Sequence, residues 1–253
     1  MVDIHSHILP GIDDGPQDWE QALAMCRMAL AQGIGTMAAT PHILAEIFEN
    51  TPEIIRERFE ELQKRLEAEA IGLTIRPGSE THLDLRILDW QRDGSLQTLN
   101  HGRYLLLELP TGLFPPHLET FLDRLLEGGV VPVIAHPERN LGVQANPNKL
   151  YPLVERGVLV QITAQSVTGE FGRDAKRCVD ILLQCDLCHV IATDAHSTTG
   201  RPPILRAGVQ KASDVVGPAR AHAMVTSTPA AILRNEPVQV PVPKLYQRRF
   251  RWF

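Results

Sequence analysis

The sequence predicts an α/β protein built on a closed or nearly closed barrel of parallel strands. Three observations carry this prediction. Seven short apolar runs alternate with longer amphipathic segments along 253 residues, and that alternation implies parallel strands joined by crossover helices. No internal repeat or low-complexity linker interrupts the chain before about residue 235, and the length suits one barrel domain. No GxGxxG turn follows the first run, so the dinucleotide-binding form of the open, doubly wound sheet lacks its phosphate loop. The open sheet itself stays as the structural alternative.

The runs lie at residues 2–5, 35–40, 73–77, 103–109, 130–135, 158–163 and 189–193. Between the first two, residues 18–32 carry Trp19, Ala22, Leu23, Cys26 and Leu30 at helical spacing. The segment 51–70 opens Thr-Pro-Glu, with Thr51 placed as N-cap and Pro52 at the first helical position. Later helices are predicted over 115–127, 147–156, 173–184 and 203–215. At 43% hydrophobic and 22% charged residues, the chain has ample material for a full core. The last stretch, 236–253, differs: VQVPVP precedes a basic, aromatic KLYQRRFRWF. Two readings apply to it. Its aromatics pack back on the barrel, or it makes weak contact with an acidic partner or a membrane surface.

Several function classes are excluded. A net charge of −5 argues against a general nucleic-acid binder. No apolar run approaches the roughly 18–20 residues of a membrane span. The N-terminal MVDIHSHILPGIDDG has no basic region followed by an apolar stretch, so no secretory signal is read and a cytoplasmic location is expected. Cys26, Cys178, Cys185 and Cys188 read as free thiols in a reducing compartment. The residues six places after them are Gln32, Gln184, Ile191 and Asp194, so the cysteine–arginine pair of thiolate phosphatases is missing. There is no GxSxG elbow and no P-loop.

The chemistry gathers at strand ends. His5 and His7 close the first run; His42 follows the second, Glu80 the third. Glu108 ends the fourth, His136 the fifth, and Asp194 and His196 close the seventh. Six of seven runs thus deliver an imidazole or a carboxylate to one rim, the face on which parallel barrels build active sites. Asp13 and Asp14 lie in the loop after the first run, and spacing does not choose between them. Mixed histidines and carboxylates suit Mn, Fe or Zn better than Ca or Mg. They are too many for one ion and natural for two or three. Structural zinc would use cysteines at local spacing. Arg139 in HPER and Arg201 in HSTTGRPP sit in loops of the same rim. Guanidinium groups there point to a phosphoester.

The motifs DIHSHILPGIDDGP at the start, TPH at 40–42, GSE at 78–80, AHPER at 135–139 and TDAH at 193–196 resemble the PHP (polymerase and histidinol phosphatase) family. Within it, with TGRPP at 199–203, the chain is most similar to the bacterial tyrosine-protein phosphatases of capsular and exopolysaccharide gene clusters. The resemblance covers residues 1–235 and implies one domain there, a distorted seven-stranded (β/α) barrel with a manganese centre of two or three ions. It implies His5, His7, Asp14, His42, Glu80, Glu108, His136, Asp194 and His196 as ligands, taking Asp14 over Asp13. Arg139 and Arg201 would hold the phosphate, with Asp194 and His42 counted among the catalytic residues. The implied reaction is attack on phosphotyrosine by a metal-activated hydroxide, and the implied partner is a tyrosine autokinase controlling polysaccharide synthesis and export. The rival readings are a small-molecule, histidinol-phosphatase-like esterase, a non-catalytic metal-stabilised kinase binder, and an amidohydrolase. The last would carry a carbamylated lysine where this chain has Glu80 and Glu108.

Overall fold

The computed structural model describes residues 1–247. Its strands are β1 (Val2–Asp3), β2 (Thr36–Ala39), β3 (His42–Ile43), β4 (Thr74–Pro77), β5 (Glu80–His82), β6 (Tyr104–Glu108), β7 (Val131–Ala135), β8 (Leu159–Thr163) and β9 (Val190–Ala192). All named pairings are parallel, in two sheets ordered β1-β2-β4 and β3-β5-β6-β7-β8-β9. The α/β class with parallel strands is therefore as read from the sequence. The seven runs, however, become nine strands in two sheets instead of one closed seven-stranded sheet.

The cause is local. The second and third runs are each followed, after a break, by a second short strand. Pro41 has no N–H to donate to a ladder, so β2 stops at Ala39 and pairing resumes at His42. Gly78 and Ser79 separate β4 from β5; a Cβ on Gly78 would come within 3.0 Å of Leu99 and 3.3 Å of Thr40. The sheets meet elsewhere through a parallel bridge from Ser6 to Ala195 and through Asp194 N–H donating to His5 O at 2.9 Å.

Each face of the strands is apolar, as expected for a parallel sheet covered on both sides. Leu105, Leu107, Ile134, Val160 and Ile162 belong to the larger cluster that the helices cover. Leu106, Val133, Ala135, Leu159 and Val190 belong to a second cluster with Ile4 and Ala38. By strand alternation Glu108 shares the face of Leu106.

The predicted helices form, with trimmed ends. Trp19–Ala31 is capped by Asp18, whose carboxylate accepts from Gln21 N–H. Pro52–Ala68 is capped by Thr51, with Pro52 in its first turn. Leu118–Glu127, Arg173–Gln184 and Arg206–Val216 follow, while 147–156 divides into a 3-10 turn and Tyr151–Glu155. Five shorter helices escaped the reading: Ile87–Asp93, Leu141–Ala145, Ala164–Thr168, Pro218–Ala223 and Ser227–Leu233. None has the two turns or more over which a 3.6-residue period shows.

Past residue 235 the described chain packs back. Val238 and Val240 lie against the second cluster. Lys244 donates its backbone N–H to Cys185 O at 2.8 Å and pairs with Asp186 at 2.7 Å. Tyr246 exchanges two hydrogen bonds with Asn148. Arg248, Arg249, Phe250, Arg251, Trp252 and Phe253 lie outside the described residues. All four cysteines are buried and unpaired. Among the described residues no helix is long and apolar enough to cross a membrane.

Candidate metal centre

The strand ends deliver their side chains to one place. The parallel register sets His42 beside Glu80 and, one strand on, His82 beside Glu108. His136 and Asp194, each just past a strand, take left-handed backbone angles, φ 31° and 54°. Such conformations cost a non-glycine residue on the order of 1–3 kcal/mol and persist where the surroundings impose them. Here they turn the chain sharply so that the side chain, not the backbone, faces the centre.

Three overlapping donor groups result, each with ligand atoms within 4.8 Å of one another. They are His7, Asp14, His42 and His196; His5, His7, Glu80 and Asp194; and His42, Glu80 and Glu108. Glu80 Oε2 lies 3.2 Å from His5 Nε2, His7 Nε2 and His42 Nδ1 alike. Asp194 Oδ1 lies 3.2 Å from His5 Nε2 and 3.3 Å from His7 Nε2. His136 falls in none of the three groups, yet its Nε2 is 2.7 Å from Glu80 Oε1 and 4.0 Å from Glu108 Oε1. All nine residues singled out as ligands are thus brought together.

The second nitrogen of most rings is already occupied. His5 Nδ1 sits 2.8 Å from Gln161 Oε1, His7 Nδ1 2.8 Å from Asp13 Oδ2, and His196 Nδ1 2.9 Å from Asp194 O. These contacts orient each imidazole with Nε2 towards the centre, the usual outer support of a metal-binding histidine. They also separate the two neighbouring aspartates. Asp13 is buried and spends one oxygen on His7 and His42 N–H and the other on Gly15 N–H. Asp14 turns instead to His196 Nε2 at 3.1 Å and His42 Nε2 at 3.6 Å.

A cation fits this arrangement. His42 Nδ1, Glu80 Oε2, Asp194 Oδ1 and His196 Nε2 are buried and lack a hydrogen-bond partner, which native interiors rarely tolerate. All four belong to the donor groups. The ionisation states agree. Burial alone would lower His5 and His7, but Glu80 and Asp194 beside His5, and Asp13 beside His7, hold both above the usual imidazole range. Burial and the neighbouring charge of Glu80 push Glu108 up to about 8. Burial and His7 push His42 down to about 4. Acidic neighbours thus favour positive charge at His5 and His7, while His42 is left a neutral donor.

Both predicted arginines reach this centre, through the same atom. The guanidinium groups of Arg139 and Arg201 each donate to Asp194 Oδ2, the oxygen turned away from His5 and His7. Arg139 lies 4.5 Å above the Phe171 ring, and Arg201 Nη1 is 4.0 Å from Asp14. A 260 Å³ cavity is lined by Arg139 together with Glu108, His136 and Asn140, among others.

Some contributors escaped sequence reading. Gln161 lies inside an apolar strand and Phe171 in a loop, and neither has a spacing signal. Phe48, whose ring stacks on His42 at 5.5 Å with planes 5° apart, is held by a short hairpin from Leu44 to Phe48.

Comparison with known proteins gives the centre a context. YwqE of Bacillus subtilis (strain 168), a tyrosine-protein phosphatase, is 36% identical over all of both chains. CapC of Staphylococcus aureus, a putative tyrosine-protein phosphatase, is 35% identical over 81% of each. Among solved structures, those of YwqE and of CpsB from Streptococcus pneumoniae, described as unique metal-dependent tyrosine phosphatases, include a chain matching at TM-score 0.93. That match has 36% identity and covers 98% of this chain and 100% of the other. The profile of capsular polysaccharide synthesis proteins of the CpsB/CapC type matches residues 1–234. The chain belongs to the CpsB/CapC family.

Proposed function

We propose that this chain is a metal-dependent protein-tyrosine phosphatase. Its substrate is the phosphotyrosine of a tyrosine autokinase that regulates polysaccharide synthesis and export in the cytoplasm. The observation that carries this reading is the meeting of two arginines at Asp194, on the wall of three linked donor groups. His5, His7, Asp14, His42, Glu80, Glu108, His136, Asp194 and His196 are read as the ligands of two or three manganese ions. When bound, such ions supply an activated water and withdraw charge from phosphoryl oxygens.

The protein's own groups do the rest. Arg139 and Arg201 bind and orient the phosphoryl group, since planar forks match its oxygens in pairs. Asp194 keeps them at a set distance from the ligands, with one oxygen for each side. His42, slightly exposed, is backed by the ring of Phe48. A tyrosine oxygen leaves as a phenol of pKa about 10, so little proton donation is needed. Residues 1–235 form the catalytic unit, and we read the two sheets as arcs of one distorted seven-stranded barrel. The bridge between Ser6 and Ala195 supports that reading.

The test pairs metal analysis with hydrolysis of phosphotyrosine peptides and small phosphate esters. Activity is expected to vanish with chelator and to return best with manganese. Full turnover by metal-free protein would end the proposal.

A further inference from the structure

Among the described residues only eight large hydrophobic side chains are exposed, and four of them stand on one rim. Ile47, Leu85, Leu113 and Leu141 are 66%, 78%, 61% and 57% exposed. Ile47, Leu85 and Leu113 lie in the loops after β3, β5 and β6, and Leu141 opens the short helix after β7; these strands are consecutive neighbours in the six-stranded sheet. These connections follow the strands that contain His42, Glu80 and Glu108 and the one that His136 follows. A single exposed leucine means little, whereas several large apolar side chains on adjacent connections of one rim mark a contact surface.

The row is held in place. Asn140, between Arg139 and Leu141, donates to Pro110 O at 2.6 Å and Leu113 O at 2.9 Å. Leu141 N–H donates to Thr111 O at 3.0 Å. Leu113 and Leu141 are thereby tied to the arginine side of the centre. On the other side, the loop of Ile47 and the residue after Leu85 border a pocket of 340 Å³ walled by Ile43, Leu44, Phe48, Trp90 and Leu96. Phe48 is shared between this pocket and the centre, because its ring also stacks on His42.

We infer that this row is the docking strip for the polypeptide that presents the phosphotyrosine, and that it selects apolar side chains flanking that residue. This rests on the tyrosine-phosphatase reading above. Three steps between neighbouring strands span roughly 14–15 Å, which an extended peptide at about 3.3 Å per residue covers in four or five residues. A small phosphate ester would fill the centre and leave the strip bare. A polypeptide lying across it places one side chain over the pocket and another beside Leu113 and Leu141.

The experiment uses the full, metal-loaded protein. It compares kcat/KM on a phosphotyrosine peptide flanked by leucines, on the same peptide flanked by serines, and on p-nitrophenyl phosphate. The leucine-flanked peptide should be preferred by about tenfold or more, the scale of partly burying one leucine. Leu85→Ser and Leu113→Ser should each erode that preference and leave p-nitrophenyl phosphate turnover unchanged. Variants that keep the full preference, or a wild type that shows none, would overturn the strip while the phosphatase reading stands. A wild type inactive on every aryl phosphate would sink that reading instead. Sedimentation showing a dimer that Leu85→Ser dissociates would assign the strip to a second copy. Binding to phosphatidylglycerol vesicles that is lost in the variants would assign it to a membrane. Either result overturns the proposal.

Discussion

Replacing Arg139 with alanine should separate phosphate binding from metal assembly, if the proposed roles hold. In the structure its guanidinium shares Asp194 Oδ2 with that of Arg201. Removing one arginine therefore leaves the buried Asp194 carboxylate with the other, and its second oxygen still faces His5 and His7. Metal content and folding should stay close to wild type. Turnover should not. Losing one preorganised donor to a developing phosphoryl charge costs about 2.7–4 kcal/mol, a hundred- to thousandfold in kcat. Arg201→Ala should behave alike, and lysine at either position should rescue partly, keeping charge without the planar fork. The double variant differs, because it strips both cations from a buried carboxylate. Breaking a buried pair from one side typically costs about 3–5 kcal/mol, so its metal-free form should melt well below the sum of the two single effects. His136→Ala should instead lose metal and rate together. The assay is metal stoichiometry beside kcat on a phosphotyrosine peptide, with thermal melts in chelator. Near-normal rates in both single arginine variants would refute the phosphate clamp, and empty metal sites in either would refute the separation.

Three further outcomes are expected. Asp13→Ala, which frees the outer nitrogen of His7, should weaken metal binding about 10–100-fold; unchanged competition against a chelating dye would show that Asp13 does not orient the ring. Because burial with Glu80 raises Glu108 to about 8, and neighbouring carboxylates outweigh burial to raise His5 and His7 above the usual imidazole range, metal loading at neutral pH should expel protons. Calorimetric heats should then differ between buffers of unlike ionisation enthalpy, and identical heats would contradict the assignment. Far from the centre, burial and Arg220 lower His189 from 6.5 to about 4, and its Nδ1 accepts from Val160 N–H at 3.0 Å. A lowered folded-state pKa stabilises the protein above pH 6.5, and roughly 3 kcal/mol of that is lost as pH falls towards 4. His189→Asn keeps an acceptor and should flatten this difference in urea midpoints, whereas parallel pH profiles for both proteins would dismiss it.

Most of the candidate site was legible because its residues punctuate apolar runs. Glu108 stands at the end of YLLLE and His136 at the end of VVPVIAH, and a charge or imidazole closing a parallel strand has few other reasons to be there. What position alone could not supply was direction. Asp13 and Asp14 are one residue apart, yet one supports His7 from behind and the other faces His196. Their separation depends on how a loop turns, with Gly15 N–H fixing Asp13. Outer supports such as Gln161 were invisible for the same reason: a polar residue in a strand interior looks like any other until the partner across the sheet is known. The strand breaks had a partial signal. Pro41 is visible, but a two-residue continuation such as His42–Ile43 is too short to show any period.

The number of ions that the centre can hold follows from how its donor groups overlap. The first and second groups share His7, the second and third share Glu80, and the first and third share His42. His7 has one nitrogen to offer, because Asp13 holds the other, so it can serve only one group at a time. If His7 is assigned to the first group and His42 to the third, the groups become His7, Asp14 and His196; His5, Glu80 and Asp194; and His42, Glu80 and Glu108. Each keeps three donors, and Glu80 alone is used twice. A carboxylate has two oxygens and can bridge, which an imidazole cannot do through one nitrogen. His136, 2.7 Å from Glu80 Oε1, then adds a donor on the bridging side. The residues would therefore offer three donors to each of three groups, with Glu80 the one donor common to two of them. Because these donors come from both sheets, a metal bound by them would link the two sheets and favour the folded arrangement that assembles the donors.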